Sequence, residues 1–212
     1  MTRVSLVTAL NEVKRRDPVL RRLVTQVGPI RHRPRNPDGH FGALARSIVF
    51  QQLAGAAARA IHGRLVAALG GNLSPESLAR TSDRALRAAG LSANKLAALR
   101  DLTAKVLDGT VDLHATSNRS DEEIIENLTV IRGIGRWTVE MLLMFRLGRA
   151  DVLPVDDYGV RKGFAVAFRK RELPTKKDLQ KRGARWKPYQ SVASWYLWRA
   201  AERAQRREKK KA

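Results

Sequence analysis

Residues 131–138 read Ile-Arg-Gly-Ile-Gly-Arg-Trp-Thr, and this stretch decides the fold. Two glycines flank one isoleucine inside an otherwise apolar, helix-favouring segment. Each glycine in a helix interior costs roughly 0.5–1 kcal/mol relative to alanine. The glycines therefore predict a break, with one helix over 121–131 and a second over 137–147. Between them the chain makes a hairpin too tight for side chains, with positive φ open to both glycines. The second helix then starts with N–H groups that have no intrahelical acceptor, and its dipole adds to their attraction for an anion. With bare backbone at Gly133 and Gly135, a phosphate can come within hydrogen-bonding distance. A plain helix–turn–helix corner is the alternative that spacing alone leaves open.

Downstream the chain reads LGRADVLPVDDYGVRKGF. Pro154 interrupts DVLPV, which reads as an extended loop rather than a strand. The loop leads to Asp156-Asp157, twenty positions after Trp137. One helix and a return loop of that length bring a carboxylate back toward the hairpin mouth. One aspartate is expected to cap the next helix, and the other to have separate work.

The remainder is helical in pattern. Phe41, Leu44, Ala45, Ile48 and Val49 recur at three- and four-residue steps. Ala56, Ala60, Leu65 and Leu69 repeat the pattern up to Gly70-Gly71. Ser74-Pro75 is a cap followed by proline at the first helical position. Ser120 with Glu123 forms a capping box, and Thr175 with Asp178 a looser one. Segment 28–39, with three prolines, two glycines and three arginines, reads as a linker. The fold class is all-α, with roughly ten short helices.

The 212 residues carry 41 Lys and Arg against 20 Asp and Glu, a net charge of +21. That excess points to a polyanion, most often nucleic acid. Part of it lies in a basic tail, 203–212, expected to be frayed and solvated. The absence of cysteine excludes disulfides, thiolate metal sites and iron–sulfur clusters held by this chain. His32, His40, His62 and His114 show no ligand spacing, so no catalytic metal is expected. The N-terminus does not read as a signal peptide, and no membrane span is expected.

LTVIRGIGRWTVEML followed by DVLPVDDYGV resembles the helix-hairpin-helix DNA glycosylase superfamily, with its Gly/Pro loop and aspartate. Within it the chain is similar to the 3-methyladenine DNA glycosylase II family. SIVFQQLAGAAARAI, LRAAGLSANKLAAL and KPYQSVASWYLWRA extend the resemblance over roughly residues 40–200. The resemblance implies two helical lobes in one glycosylase domain, with DNA across the cleft between them. The central lobe is then about 40–145. The second is 1–39 plus 146–202. A compact form without the β-rich N-terminal domain of some relatives is expected.

Residue by residue, the resemblance makes Asp157 the catalytic aspartate, with Asp156 as the backup candidate. Breaking an N-glycosidic bond develops oxocarbenium character on the deoxyribose, which a carboxylate stabilises. Trp137 stands where bifunctional relatives place a Schiff-base lysine, which implies hydrolysis without strand cleavage. Trp137, Met141 and Trp198 are implied to line the base pocket; an aromatic face suits an electron-poor alkylated base. Met141 occupies a place where a relative has an aromatic. Leu53 is implied as the wedge that enters the duplex, with Gln52 beside the gap. Gly133, Gly135 and Thr138 are implied to hold a phosphate through backbone N–H groups. The carbonyls of Thr129, Ile131 and Ile134 are implied to hold a monovalent cation, Na+ or K+; no other cofactor is expected.

The expected function is a monofunctional glycosylase of base-excision repair. It acts as a monomer on duplex DNA with alkylated bases, in the cytoplasm or nucleus. The competing reading is a non-enzymatic helix-hairpin-helix module for damaged or bent DNA. That module needs the hairpin and the charge, but not Asp157 or the aromatics.

Overall fold

The computed structural model describes residues 5–30, 39–114 and 118–210. These residues form twelve α-helices and no strand. Most of the expected linker, 31–38, and His32 with it, lie outside the described residues. The chain divides into two compact units, one of Met1–Arg33 with Gly148–Ala212, the other Pro34–Leu147.

The first unit holds α1 (Leu6–Arg16), α2 (Pro18–Val27), α10 (Tyr158–Ala167), α11 (Lys176–Gly183) and α12 (Gln190–Glu208). Val13, Leu20, Val160, Phe164, Leu179, Trp186, Tyr196 and Leu197 form its core. Asp17 is fully buried there. Its Oδ1 accepts the Val19 N–H at 2.9 Å and so caps α2, with Pro18 at the first helical position. Its Oδ2 accepts from the Trp186 indole and from Arg182 Nε, each at 2.9 Å. A buried carboxylate is tolerable only when it is paired and bonded in this way. Tyr196 is also buried and donates its hydroxyl to the Gly28 carbonyl at 2.9 Å. Burial pushes this phenol up to about 12.

Helices α10 and α12 meet backbone to backbone. A Cβ at Gly163 would lie 1.8 Å from the Leu197 carbonyl oxygen, so only glycine permits the approach. The Thr175/Asp178 capping box of α11, expected to be loose, is fully formed. The basic segment from Arg203, expected as a frayed tail, stays helical to Glu208, and Arg203 donates to the Gln26 carbonyl at 3.1 Å. Residues 211–212 lie outside the description.

The second unit holds α3 (Gly39–Phe50), α4 (Gly55–Ala68), α5 (Pro75–Arg80), α6 (Asp83–Ala88), α7 (Ala93–Leu107), α8 (Asp121–Thr129) and α9 (Arg136–Leu142). The apolar face read from Phe41 to Val49 is buried throughout. The face read on α4 needs correction: Ala56 and Ala60 are exposed, and the buried positions are Ala58 and Leu65, with Leu69 just past the helix end. Alanine carries too little apolar area to decide which side of a helix turns inward. Ser74 caps α5 ahead of Pro75, and the Ser120/Glu123 capping box opens α8. The helix expected over 137–147 is α-helical only to Leu142 and continues as a π turn over Leu143–Leu147.

Candidate functional site

Gly133 and Gly135 do different jobs in the hairpin. Gly133 has φ +76°, a left-handed conformation that costs other residues roughly 1–2 kcal/mol. Gly135 does not use positive φ, contrary to the expectation for both glycines. It is the N-cap of α9 at φ −98°, ψ 171°, in extended backbone. A Cβ there would meet nothing within 4 Å, so the bare backbone faces open space.

Thr138 requires a second correction. It is buried, and its N–H donates to the Gly135 carbonyl at 2.9 Å. A tight first turn takes up this amide, so the backbone contact assigned to Thr138 is already committed within the helix.

Neighbouring side chains fix the hairpin. Asp101 Oδ2 on α7 accepts the Arg132 N–H at 2.7 Å. That amide, and then Lys105, hold the Asp101 carboxyl below its ordinary value. Gln51, just past α3, donates its side-chain N–H to the Gly133 carbonyl at 2.8 Å. Arg136 bridges Glu122 on α8, at 2.9 Å from Nη1, and Glu140, at 3.3 Å. The Glu122 bond raises the Arg136 guanidinium above its ordinary value, and Arg136 in turn lowers the Glu122 carboxyl. Sequence reasoning missed Gln51 and Asp101. Gln51 stood in plain view beside Gln52, and only the doubling of the glutamine marked it.

Among the described residues, large apolar side chains of this unit stand in the open at Leu53, Leu107, Val130, Trp137 and Phe145. Trp137 is 46% exposed and Leu53 is 37% exposed, so neither is a core residue. Phe145, in the π turn, is 58% exposed, and no local sequence signal marks it. Met141, one turn after Trp137, is half-buried. Gln52 has φ +56° without being glycine. Strain of this kind persists where the surrounding structure imposes it, and clusters at functional sites. The QQL corner is therefore strained, tied to the hairpin through Gln51, and tipped by an exposed leucine.

Asp157 lies in the other unit, at the N-terminus of α10. Its Oδ1 accepts the Val160 N–H at 2.7 Å and the Trp198 indole N–H at 2.7 Å. The division of labour between the aspartates differs from the expected one. Asp157, the catalytic candidate, is itself the helix cap, while Asp156 pairs with Lys176 at the surface. Trp198 is half-buried. Of the residues assigned to the base pocket, Trp137 and Met141 belong to one unit and Trp198 to the other.

The loop before Asp157 is irregular backbone stitched to α12. Ser191 Oγ donates to the Arg149 carbonyl at 2.7 Å and accepts the Val152 N–H at 3.0 Å. Ser194 Oγ, fully buried, donates to the Val152 carbonyl at 3.3 Å. Asp151 accepts the Gln190 N–H at 3.3 Å. A loop with buried backbone needs such partners. The signal for them was present as two serines, three apart, on an otherwise apolar helix face.

A cavity of about 980 Å³ in the second unit, between His40, Asn72, Leu107 and His114, holds none of the candidate residues. Among the described residues, no three His, Cys, Asp or Glu side chains gather as metal ligands.

Residues 45–188 match the family described as HhH-GPD superfamily base excision DNA repair protein. The chain is 37% identical over 188 residues to DNA-3-methyladenine glycosylase 1 of Schizosaccharomyces pombe, covering 87% of this chain and 82% of that protein. Among solved structures, the S. pombe 3-methyladenine DNA glycosylase in complex with abasic DNA superimposes with a TM-score of 0.80 at 36% identity, over 90% of this chain and 95% of that one. A DNA-3-methyladenine glycosidase from Bacillus halodurans gives a TM-score of 0.83 at 40% identity, over 91% and 88% of the two chains.

Proposed function

The chain belongs to the HhH-GPD superfamily of base excision DNA repair proteins, and from that premise we propose that it is a monofunctional DNA glycosylase that hydrolyses alkylated bases, of the 3-methyladenine and 7-methylguanine type, out of duplex DNA. The observation that carries the reading is Asp157, fixed at the start of α10 by a backbone and an indole N–H. Asp17 shows the same capping and indole bonds in a fully buried, structural carboxylate; Asp157 differs in being only partly buried, so substrate can reach it.

The chemistry follows from the leaving group. An alkylated purine is already cationic, so it departs without strong acid catalysis. The deoxyribose left behind develops positive charge, which Asp157 stabilises while orienting the attacking water. Trp137 and Met141 offer a face to the flipped base, with Trp137 supplying cation–π attraction, and Trp198 stands beside Asp157. Trp137 in place of a lysine leaves no hairpin amine for a Schiff base, so the strand stays uncut. Leu53 enters the gap that the base vacates, and Gln52 bonds the bases beside it. The amides around Gly133 and Gly135 take a phosphate, and the net charge of +21 adds salt-sensitive affinity for DNA as a whole.

Any Na+ or K+ at the hairpin rests on the carbonyls of Thr129, Ile131 and Ile134; the Ile131 carbonyl already accepts the Ile134 N–H at 3.1 Å and has a second lone pair to offer. The protein works as a monomer where the cell keeps its DNA. Among the described residues, no helix is long and apolar enough to cross a membrane.

The test is incubation with methylated duplex DNA, with released bases resolved by chromatography and the strand scored on a denaturing gel. Free methylpurines and an abasic strand that breaks only after alkali are expected. DNA binding with no base released would replace the enzyme by a lesion-recognition module.

A further inference from the structure

A glycine two residues after the catalytic candidate takes no part in the chemistry described so far. Gly159 lies in the first turn of α10, in ordinary helical backbone, where alanine would be the better helix former. Its conformation therefore does not require glycine, but its surroundings do. A Cβ at this position would lie 2.7 Å from Trp198 Cδ1, 3.1 Å from Trp198 Nε1 and 3.0 Å from Asp157 Oδ1. These are the two partners of the 2.7 Å indole–carboxylate bond. One turn further, Gly163 brings the α12 backbone against α10 at Leu197, the residue before Trp198. The two glycines have separate roles. Gly163 sets the approach of the helices, and Gly159 leaves the clearance that the indole occupies.

We infer that Gly159 is a positioning residue: its missing side chain lets the Trp198 N–H reach the Asp157 carboxylate and fix its orientation. Trp198 then acts on the reaction through a hydrogen bond as well as through the face it offers a base. This inference rests on the glycosylase reading for its kinetic consequence, though not for its geometry.

The experiment uses the full chain and three variants, Gly159→Ala, Trp198→Phe and the double variant, each with two readouts. The first is the indole N–H resonance of Trp198 by NMR, identified by its loss in Trp198→Phe. In Gly159→Ala this resonance is expected to shift and its hydrogen exchange to quicken. The second is single-turnover base release from methylated duplex DNA alongside DNA affinity. Gly159→Ala and Trp198→Phe should each slow release on the order of 10- to 100-fold with affinity kept, as a small misplacement of a reacting group does. The double variant should be little slower than Trp198→Phe, because Gly159→Ala acts only through the indole–carboxylate bond that Trp198→Phe already removes. Thermal denaturation confirms that each variant is folded. An unmoved resonance in folded Gly159→Ala, or losses that simply multiply in the double variant, would overturn the inference. If wild-type protein releases no base at all, the glycosylase reading fails, and the resonance alone decides the geometry.

Discussion

The two candidate regions are held in opposite ways. Asp157 sits on a helix whose backbone touches that of α12, behind a loop sewn down by Ser191 and Ser194, next to a core with its own buried carboxylate. The hairpin and the QQL corner are tied instead by side-chain bonds, Gln51 to Gly133, Asp101 to Arg132 and Arg136 to Glu122 and Glu140, over buried Ile131 and Ile134, and present exposed Trp137 and Leu53. The difference suits the two kinds of work. A carboxylate that must meet developing charge needs a fixed place, since electrostatic stabilisation depends on groups already in position. A surface that grips a deformable polymer needs bare backbone and exposed apolar tips more than it needs a core.

Stability should register this contrast. The largest effect is expected at Asp17. Asp17→Ala leaves the buried Trp186 indole N–H and the partly buried Arg182 without their acceptor and uncaps α2, and should cost about 3 kcal/mol in chemical denaturation. A loss as small as that of a surface pair would mean that the first unit is not held from its core. Gly163→Ala comes next. Its Cβ has to push α12 away and should cost about 1–3 kcal/mol, with base release falling as well, because Trp198 moves with the helix.

In the hairpin the two glycines should separate. Gly133→Ala carries the positive-φ cost of roughly 1–2 kcal/mol. Gly135→Ala should cost less in stability and more in DNA affinity, because its methyl group enters the open space in front of α9. Denaturation curves and DNA titrations on the same two variants check both halves, and equal behaviour would erase the distinction.

The smallest effect is in pH, where the regions should weaken at opposite ends. The Tyr196 phenol is raised to about 12, so its contribution is complete below the ordinary value of 10.0 and is lost as pH climbs through the folded value. The Asp101 carboxyl is lowered, so its contribution is complete above the ordinary value of 3.8 and is lost as pH falls through the folded one. Amide protection, corrected for the intrinsic pH dependence of exchange, should therefore fall first at the hairpin in acid and first around Gly28 and α12 in base.

Much of this was legible in the chain. IRGIGRWT announced the hairpin because two glycines in a helical context have few other uses. The capping boxes at Ser120 and Thr175 were readable because a cap is local chemistry. The α4 face was misread because alanines are nearly neutral about which side they bury. The division between Asp156 and Asp157 was not readable, because it depends on Lys176 and Trp198, which are distant in sequence. The same holds for Gln51, Asp101 and Gly159, whose meaning lies in what stands opposite them. Local signals name the elements; the contacts that hold a group in place come from distant residues and are absent from any window.

The most direct test of the central claim is single-turnover release of methylpurines from methylated duplex DNA by wild type and Asp157→Asn, with DNA affinity measured in parallel. Asparagine keeps the helix cap, so folding should hold. Normal affinity is expected, with release slowed on the order of 10²- to 10³-fold. Release at the wild-type rate by the folded variant would remove Asp157 from the chemistry.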